Sequence, residues 1–155
     1  MPGPTSTRLR TARADECSLL TDLVLRSKAS NGYDATFMAA CRDELRVTPE
    51  KLAEGPFMVL ETDGVVVGTA QVTRDKGGWH LERMFVNPDC QGTGAGRHLI
   101  DWAKAEARHQ GARELLIEAD PHAEGFYLKA GAVRVGVTPS GSIPGRMIPL
   151  MVLPL

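Results

Sequence analysis

The first third of the chain carries apolar residues at the spacing of a helix. Four of them fall at positions i, i+1, i+4 and i+5: Leu19, Leu20, Leu23 and Val24. Their spacing predicts a helix from about Asp15 to Lys28, after a short strand-like stretch that opens at Leu9. A second helix is predicted with Asp34 as its N-cap. Thr48-Pro49 predicts one more short helical turn, since proline suits the first helical position.

After Gly55-Pro56 the pattern changes to short runs rich in β-branched residues. These runs predict a meander of three strands: Phe57–Thr62, Val65–Arg74 and Trp79–Val86. Asp63-Gly64 separates the first two strands and is a strong hairpin signal. Successive side chains of a strand point to opposite faces, so His80, Glu82 and Met84 are expected to lie on one face of the third strand.

The last third of the chain alternates between helical and β patterns. The predicted elements are a helix at about Gly94–Gln110, a strand at Leu115–Ala119, a helix at Ala123–Ala130, and strands at Val133–Val137 and Met147–Leu153. Pro149 cannot donate to a ladder, so we expect an edge position or a bulge there. The overall order is an α-rich start, a β-meander and then β-α-β-α-β-β, which predicts mixed α/β layers.

Composition and charge exclude several classes of protein. The 155 residues are 43% hydrophobic and 24% charged, which fits one globular domain, predicted at 8–155 after a disordered lead-in at 1–7. A net charge of −1 gives no electrostatic footprint for nucleic acid or an anionic membrane. No apolar run approaches the ~20 residues of a membrane span. The three cysteines are widely spaced, which argues against disulfides and a metal site and favours a reducing cytoplasm.

The segment with the strongest chemical signal is Gln91–Gly96, where three glycines alternate ahead of a helix. Its backbone N–H groups are left unpaired at the helix N-terminus, and the helix dipole favours negative charge. Glycines also let a ligand approach the backbone closely. The segment therefore predicts an anion site, with pyrophosphate as the ligand. The competing interpretation is a tight turn that only serves close helix–sheet packing.

Two nucleotide motifs fit this segment poorly. A Walker A loop ends in Gly-Lys-Ser/Thr, whereas Gly96 is followed by Arg97-His98. A dinucleotide-binding turn would need a third glycine at position 97, which is Arg97. It should also follow the first strand of a βαβ unit, whereas here two helices and a meander come first.

The segment instead resembles the Q/R-x-x-G-x-G/A acetyl-CoA signature of the GNAT acetyltransferase superfamily, reading Gln91-Gly92-Thr93-Gly94-Ala95-Gly96 after a strand that ends in Val86-Asn87-Pro88. A second match is Ala123-Glu124-Gly125-Phe126-Tyr127, which is similar to the superfamily's A-x-x-F-Y helix. One departure is Asp120, at a position where the superfamily often has asparagine. The resemblance covers nearly the whole chain. It implies an α/β (α+β) fold with a mixed, mostly antiparallel sheet of about six to seven strands and about four helices.

The resemblance also implies acetyl-CoA as co-substrate, held where the third meander strand splays from Leu115–Ala119. The residues implied in cofactor binding are Met84, Phe85, Val86, Gln91, Gly92, Thr93, Gly94, Ala95, Gly96, Arg97, Asp120, Ala123 and Tyr127. Tyr127 matches the tyrosine beside the sulfur, the proton donor to the departing thiolate; otherwise it is a half-buried helix tyrosine. For a general base, Glu82 is the first candidate and His80 the second, unless both only form a solvated strand face.

The acceptor would be a primary amine of a small molecule or peptide. By resemblance its pocket is walled by the loops Ser27–Asp34 and Pro139–Arg146. Candidate contacts are Ser27, Lys28, Tyr33, Glu82, Ser142 and Arg146, although the loop residues among them could be only surface residues. The lysine and arginine point to a carboxylate or phosphate on the acceptor.

Direct transfer in a ternary complex is the leading interpretation, and a homodimer is expected by analogy alone. A non-catalytic acyl-CoA sensor and an NAD(P)-binding oxidoreductase are the alternatives.

Overall fold

The computed structural model describes residues 6–155 and contains strands and helices at most of the expected places. The strands are β1 Thr7–Thr11, β2 Phe57–Thr62, β3 Val65–Asp75, β4 Gly78–Val86, β5 Glu114–Glu118, β6 Val133–Pro139 and β7 Met147–Pro154. The helices are α1 Cys17–Ala29, α2 Ala35–Leu45, α3 Pro49–Leu52, α4 Ala95–His109 and α5 Glu124–Lys129. Short 3-10 turns lie at Ala14–Glu16, Pro88–Cys90 and Pro121–Ala123. Within the described residues, seven strands and five helices confirm the predicted fold class.

The predicted start signals operate in the structure. The Asp34 carboxylate accepts a hydrogen bond from the backbone N–H of Phe37 (2.8 Å) and caps α2. Thr48 does the same for α3 through the N–H of Lys51 (3.2 Å). Asp63 and Gly64 have φ of 51° and 82°, the left-handed geometry of a type I′ hairpin turn between β2 and β3. Of the predicted lead-in at 1–7, residues 1–5 lie outside the described part of the chain, and Thr7 already belongs to β1.

The seven strands form one sheet in the order β1-β2-β3-β4-β5-β7-β6. All neighbours are antiparallel except β4 and β5, which run parallel and pair at a single position, His80 opposite Leu116. Beyond His80 the two strands separate, so the backbone groups on the β5 side of β4 have no ladder partner among residues 6–155. This divergence is the splay that the sequence resemblance implied.

Helices cover both faces of the sheet. On one face α4 and α5 pack on the larger apolar cluster, which includes Leu99, Ile100 and Tyr127. On the other face α1 packs on a smaller cluster that includes Leu20 and Phe57. We call these the α4 face and the α1 face.

The expectation of an edge position for Pro149 is wrong, because β7 lies between β5 and β6 inside the sheet. The ladder tolerates the proline because β5 ends beside it. The Pro149 carbonyl accepts a hydrogen bond from Ala119 N–H (2.9 Å), just past the last residue of β5. A bulge does occur nearby, in β6 between Arg134 and Gly136, although not at Pro149 itself.

Candidate active site

A β-bulge in β4 shapes the centre of the site. The β3–β4 register runs from Gln71 opposite Glu82 to Thr69 opposite Phe85, so β4 holds one extra residue there. Arg83 adopts a φ of 50°, which is uncommon for a residue with a side chain. Its backbone carbonyl accepts a hydrogen bond from the Thr69 hydroxyl (2.8 Å), and its guanidinium donates to the Gln71 side-chain oxygen (2.8 Å). These bonds hold the bulge in place.

The bulge reverses the direction of the side chains that follow it. Glu82 lies directly opposite Gln71, which in turn pairs with Phe57 of the α1 face. Met84 packs instead on the cluster of the α4 face. The expectation that His80, Glu82 and Met84 share a face is therefore wrong for Met84, since simple alternation does not survive an inserted residue.

A cavity of about 720 Å³ occupies the gap between β4 and β5. Its walls include β4 from Leu81 to Val86, the end of β5 at Ile117 and Glu118, and the start of α5 at Phe126 and Tyr127. The turn before α4 closes one end, and loops from the α1–α2 and β6–β7 connections close the other. The cavity is thus continuous from the predicted anion turn to the predicted acceptor loops.

The anion turn has the geometry that its glycines predicted. Gly92 and Gly94 have φ of 82° and 90°, conformations that side-chain-bearing residues rarely adopt. Gln91, Gly92, Gly94, Gly96 and Arg97 line the cavity, whereas Thr93 and Ala95 do not. Thr93 donates its hydroxyl to the Cys90 carbonyl and Ala95 is buried in the core, so any role of these two in binding would pass through their backbone.

Gly96 has a packing role as well. A Cβ on this residue would lie 3.1 Å from two ring atoms of Phe126, so the absence of a side chain lets α4 and α5 approach closely. Of the two interpretations of the glycine run, close packing therefore applies at Gly96, while Gly92 and Gly94 provide the open turn.

The two candidate bases are in different environments. Glu82 is half-buried at the cavity wall, and burial raises the pKa of its carboxyl against the opposing charges of Arg83 and His80. His80 lies before the splay, where β4 still pairs with β5, and does not line the cavity. Its Nε2 lies 2.9 Å from an Asp75 carboxylate oxygen in the β3–β4 turn. The structure does not bring His80 to the site, so Glu82 is the remaining candidate base.

Tyr127 lines the cavity from α5 and is only 7% exposed. Burial, and secondarily the negative charge of Asp120, raises the pKa of its phenol well above its ordinary value. The hydroxyl therefore carries its proton at neutral pH. That is the state required of a proton donor to a thiolate.

A polar network at the other end joins three segments that are distant in sequence. The Asp120 carboxylate accepts hydrogen bonds from Lys28 Nζ (2.5 Å), the Tyr33 hydroxyl (2.9 Å) and the backbone N–H of His122 (2.8 Å). Burial alone would raise the pKa of Asp120, but these partners hold it at about 2. Arg146 donates to the Tyr33 hydroxyl (2.8 Å) from the β6–β7 loop. Burial, with Asp120 beside it, raises the pKa of Tyr33 to about 12.

Most of the predicted acceptor and corner residues reach the cavity. Those that line it are Ser27, Lys28, Asp120, Ala123, Ser142 and Arg146. Tyr33 does not line it but is hydrogen-bonded to two residues that do, Asp120 and Arg146. Its ring stacks on Phe37 at 3.9 Å between centroids, and the Arg146 guanidinium lies 4.9 Å from the Phe37 centroid. The network thus fixes the two loops against each other.

Sequence reasoning did not single out several of the lining residues as functional. They are Asn31, Cys41, Glu44 and Glu118. The alternation of β5 could have pointed to Glu118, which ends that strand at the splay. No comparable signal marks Glu44, whose carboxylate reaches the Ser142 hydroxyl from α2.

Comparison with known proteins agrees with this architecture. The sequence model of a family described as acetyltransferase (GNAT) domain matches residues 24–140. The chain belongs to the GNAT acetyltransferase family.

Individual relatives are more distant. A 64-residue segment, 40% of this chain and 42% of the relative, is 39% identical to an IAA acetyltransferase from Azospirillum brasilense. Among solved structures, a GCN5-related N-acetyltransferase from Rhodopseudomonas palustris superposes with a TM-score of 0.82 at 23% identity, covering 97% of this chain and 96% of that one. The paia N-acetyltransferase from Thermoplasma acidophilum, solved in complex with coenzyme A, has a TM-score of 0.79 at 16% identity over 97% and 99% of the two chains.

Neither a membrane-spanning helix nor a metal-binding cluster occurs within residues 6–155. None of the helices there combines the length and the apolar character needed to cross a membrane. No group of three or more histidine, cysteine or carboxylate side chains is arranged to hold a metal ion in that part of the chain.

Proposed function

We propose that this chain transfers an acetyl group from acetyl-CoA to a primary amine of a small molecule or peptide, directly within a ternary complex. The observation that carries the proposal is the single cavity that joins an anion-binding turn to Glu82 and Tyr127. Membership of the GNAT family and the coenzyme A complex of the structurally similar Thermoplasma protein support it. The family also favours coenzyme A over NAD(P), so the oxidoreductase alternative has no further support.

The donor would bind along the splay. Its pyrophosphate would accept hydrogen bonds from the backbone of Gln91–Gly96 at the start of α4, where the helix dipole and Arg97 add positive potential. The pantetheine arm would extend a strand-like ladder along the unpaired edge of β4 at Met84–Val86. Cofactor roles for Asp120 and Ala123 would follow from their position where that arm reaches the acceptor end.

The chemistry needs a neutral amine, a stabilised oxyanion and a proton for the thiolate. Glu82 would take a proton from the substrate ammonium, whose ordinary pKa of about 10.4 keeps it charged at neutral pH. The freed nitrogen would attack the thioester carbonyl, and a backbone N–H of β4 would stabilise the oxyanion. As the tetrahedral intermediate collapses and the C–S bond breaks, its nitrogen would lose its second proton to solvent and Tyr127 would protonate the CoA thiolate. The phenolate would regain its proton from solvent.

The test is to incubate the protein with acetyl-CoA and a broad panel of amines while following free thiol. Release that depends on an amine supports the enzyme. Tight CoA binding with no release from any amine would instead favour the acyl-CoA sensor. The matched control is Gly94→Glu, which places bulk and negative charge in the turn and should abolish CoA-induced thermal stabilisation.

Three other expectations remain predictions. They are a cytoplasmic location, a homodimer, and one domain over 8–155. Size-exclusion chromatography with light scattering would test the second of these, and limited proteolysis the third.

A further inference from the structure

The charges around the cavity leave one cation without an anionic partner. Among the described residues, Lys28, Arg83, Arg97 and Arg146 are the cationic side chains that line it. Three of them form ion pairs: Lys28 with Asp120 at 2.5 Å, Arg83 with Glu54 at 3.0 Å, and Arg97 with Asp101 at 3.4 Å. Arg146 pairs with no carboxylate of residues 6–155 and makes one side-chain hydrogen bond, to the neutral hydroxyl of Tyr33.

Arg146 is nevertheless held in a defined orientation. Its guanidinium lies over the stacked rings of Phe37 and Tyr33, at 4.9 and 5.3 Å from their centroids. The Tyr33 hydroxyl accepts a hydrogen bond from Arg146 and donates its proton to Asp120, so it links the guanidinium to the carboxylate. A guanidinium has five N–H donors, and one is used here. The others remain for a ligand in the cavity.

A half-buried cation without a counter-ion is costly unless a partner arrives to neutralise it. Arginine is the side chain best suited to pairing with a carboxylate through two parallel hydrogen bonds. Lys28, which the sequence offered as an equal candidate, already has its charge matched by Asp120. The structure therefore separates the two cations that the sequence grouped together.

We propose that Arg146 binds a carboxylate of the acceptor, so that the acetylated amine is an amino acid or a similar amino carboxylic acid. This inference rests on the proposed function and narrows its substrate class. The acceptor would lie with its amine toward Glu82 and its carboxylate toward Arg146. Tyr33, itself bonded to Asp120, would position the guanidinium through its hydrogen bond to Arg146.

The surrounding charges argue against two other kinds of acceptor. Glu44, Glu82 and Glu118 also line the cavity, and none forms an ion pair within the described chain. A phosphate dianion would meet one unmatched cation among these carboxylates, whereas a carboxylate brings a single charge. A polyamine would suit the glutamates but would place a cation against Arg146. A zwitterion with one amine and one carboxylate matches both signs.

The first experiment compares acceptors with the wild-type protein. The panel holds the common α-amino acids, their primary amides, their decarboxylated amines, aminoalkyl phosphates and spermidine, each assayed with acetyl-CoA for thiol release. We expect at least one amino acid to exceed its own amide and amine by about a hundredfold in kcat/KM, the size of a lost charge-assisted pair. Equal rates for acid and amide, or a preference for phosphates or spermidine, would overturn the carboxylate site alone. If no amine caused thiol release, that result would overturn the proposed function as well.

The second experiment changes Arg146 itself. Arg146→Gln should raise KM for the preferred amino acid by about tenfold to a hundredfold with a smaller change in kcat, and should remove the discrimination against its amide. Arg146→Lys should restore part of this discrimination, because lysine returns the positive charge but not the two parallel N–H donors of a guanidinium. Arg42→Gln on the exposed part of α2 makes the same charge change outside the cavity and should leave both constants unchanged. If Arg146→Gln folds and still prefers the acid over the amide, Arg146 is not the carboxylate site.

Discussion

Asp120 allows the energetic role of the acceptor-end network to be measured. Its carboxylate is 14% exposed and accepts from Lys28, Tyr33 and the backbone of His122. Asp120→Asn keeps the shape and one acceptor oxygen but leaves the half-buried Lys28 ammonium without its counter-charge. The substitution also introduces the amide that the superfamily often has here, so it is a mild change in packing.

The magnitude follows from the pKa. Against the opposing effect of burial, these partners lower the pKa of Asp120 from 3.8 to about 2. Each unit corresponds to about 1.4 kcal/mol of differential stabilisation, so the ionised form should contribute about 2 kcal/mol to the free energy of unfolding. Because the folded-state pKa is depressed, this contribution is fully present above about pH 4. It should decline as the pH falls from 3.8 and be lost as the pH falls through about 2.

The assay is urea denaturation of wild type and Asp120→Asn at several values between pH 7 and pH 2.5. We expect a gap of about 2 kcal/mol at neutral pH that narrows below pH 4. Asp22→Asn is the control, since Asp22 pairs with Arg26 on α1 but is 69% exposed, and an exposed pair is worth under about 0.5 kcal/mol. A gap that stays constant down to pH 2.5, or one no larger than the control's, would refute the assignment of a stabilising charge to Asp120.

Three further predictions concern the reaction and the core. Glu82→Gln should lower kcat by about a hundredfold or more and abolish the acid limb of the pH–rate profile. In the wild type, the midpoint of that limb should lie above the ordinary pKa of a glutamate. An acid limb that the substitution leaves unaltered would exclude Glu82 as the base. Tyr127→Phe should slow turnover without weakening acetyl-CoA binding, and an unchanged rate would remove Tyr127 from the acid role. Gly68→Ala should destabilise the fold by about 1–3 kcal/mol, because its Cβ would lie 2.8 Å from Leu99 Cδ1 and 3.1 Å from the Phe85 carbonyl; equal urea midpoints would contradict this.

The sequence predicted those features that depend on neighbouring residues. Asp34 and Thr48 cap helices because a cap is a contact across three residues. The Asp63-Gly64 turn and the glycine turn before α4 are equally local. The splay of β4 from β5 was expected only through the family resemblance, since no local pattern encodes where two parallel strands separate.

The features that escaped prediction depend on distant partners. No glycine or proline marks the bulge at Arg83 in the sequence. Hydrogen bonds to Thr69 and Gln71 of the neighbouring strand hold it. The network at Asp120 depends on Tyr33, which lies 87 positions away in the sequence, and on Lys28, which lies 92 positions away. His80 looked like a base on the alternation alone, but strand alternation does not reveal how far along the strand the cavity begins.

Glu82 and Tyr127, the residues of the two proposed proton transfers, reach the cavity from different faces of the sheet. Before the bulge, Glu82 belongs to the α1 face, the side that carries Lys28 on α1. After it, Met84 and Val86 belong to the α4 face, where Tyr127 packs and where α4 begins. Both faces open into the same gap between β4 and β5. A base must reach the incoming amine and an acid the departing thiolate. The α1 face thus carries the proposed base together with Lys28, and the α4 face carries the proposed acid together with the start of α4. We therefore expect the thioester to lie between Glu82 and Tyr127.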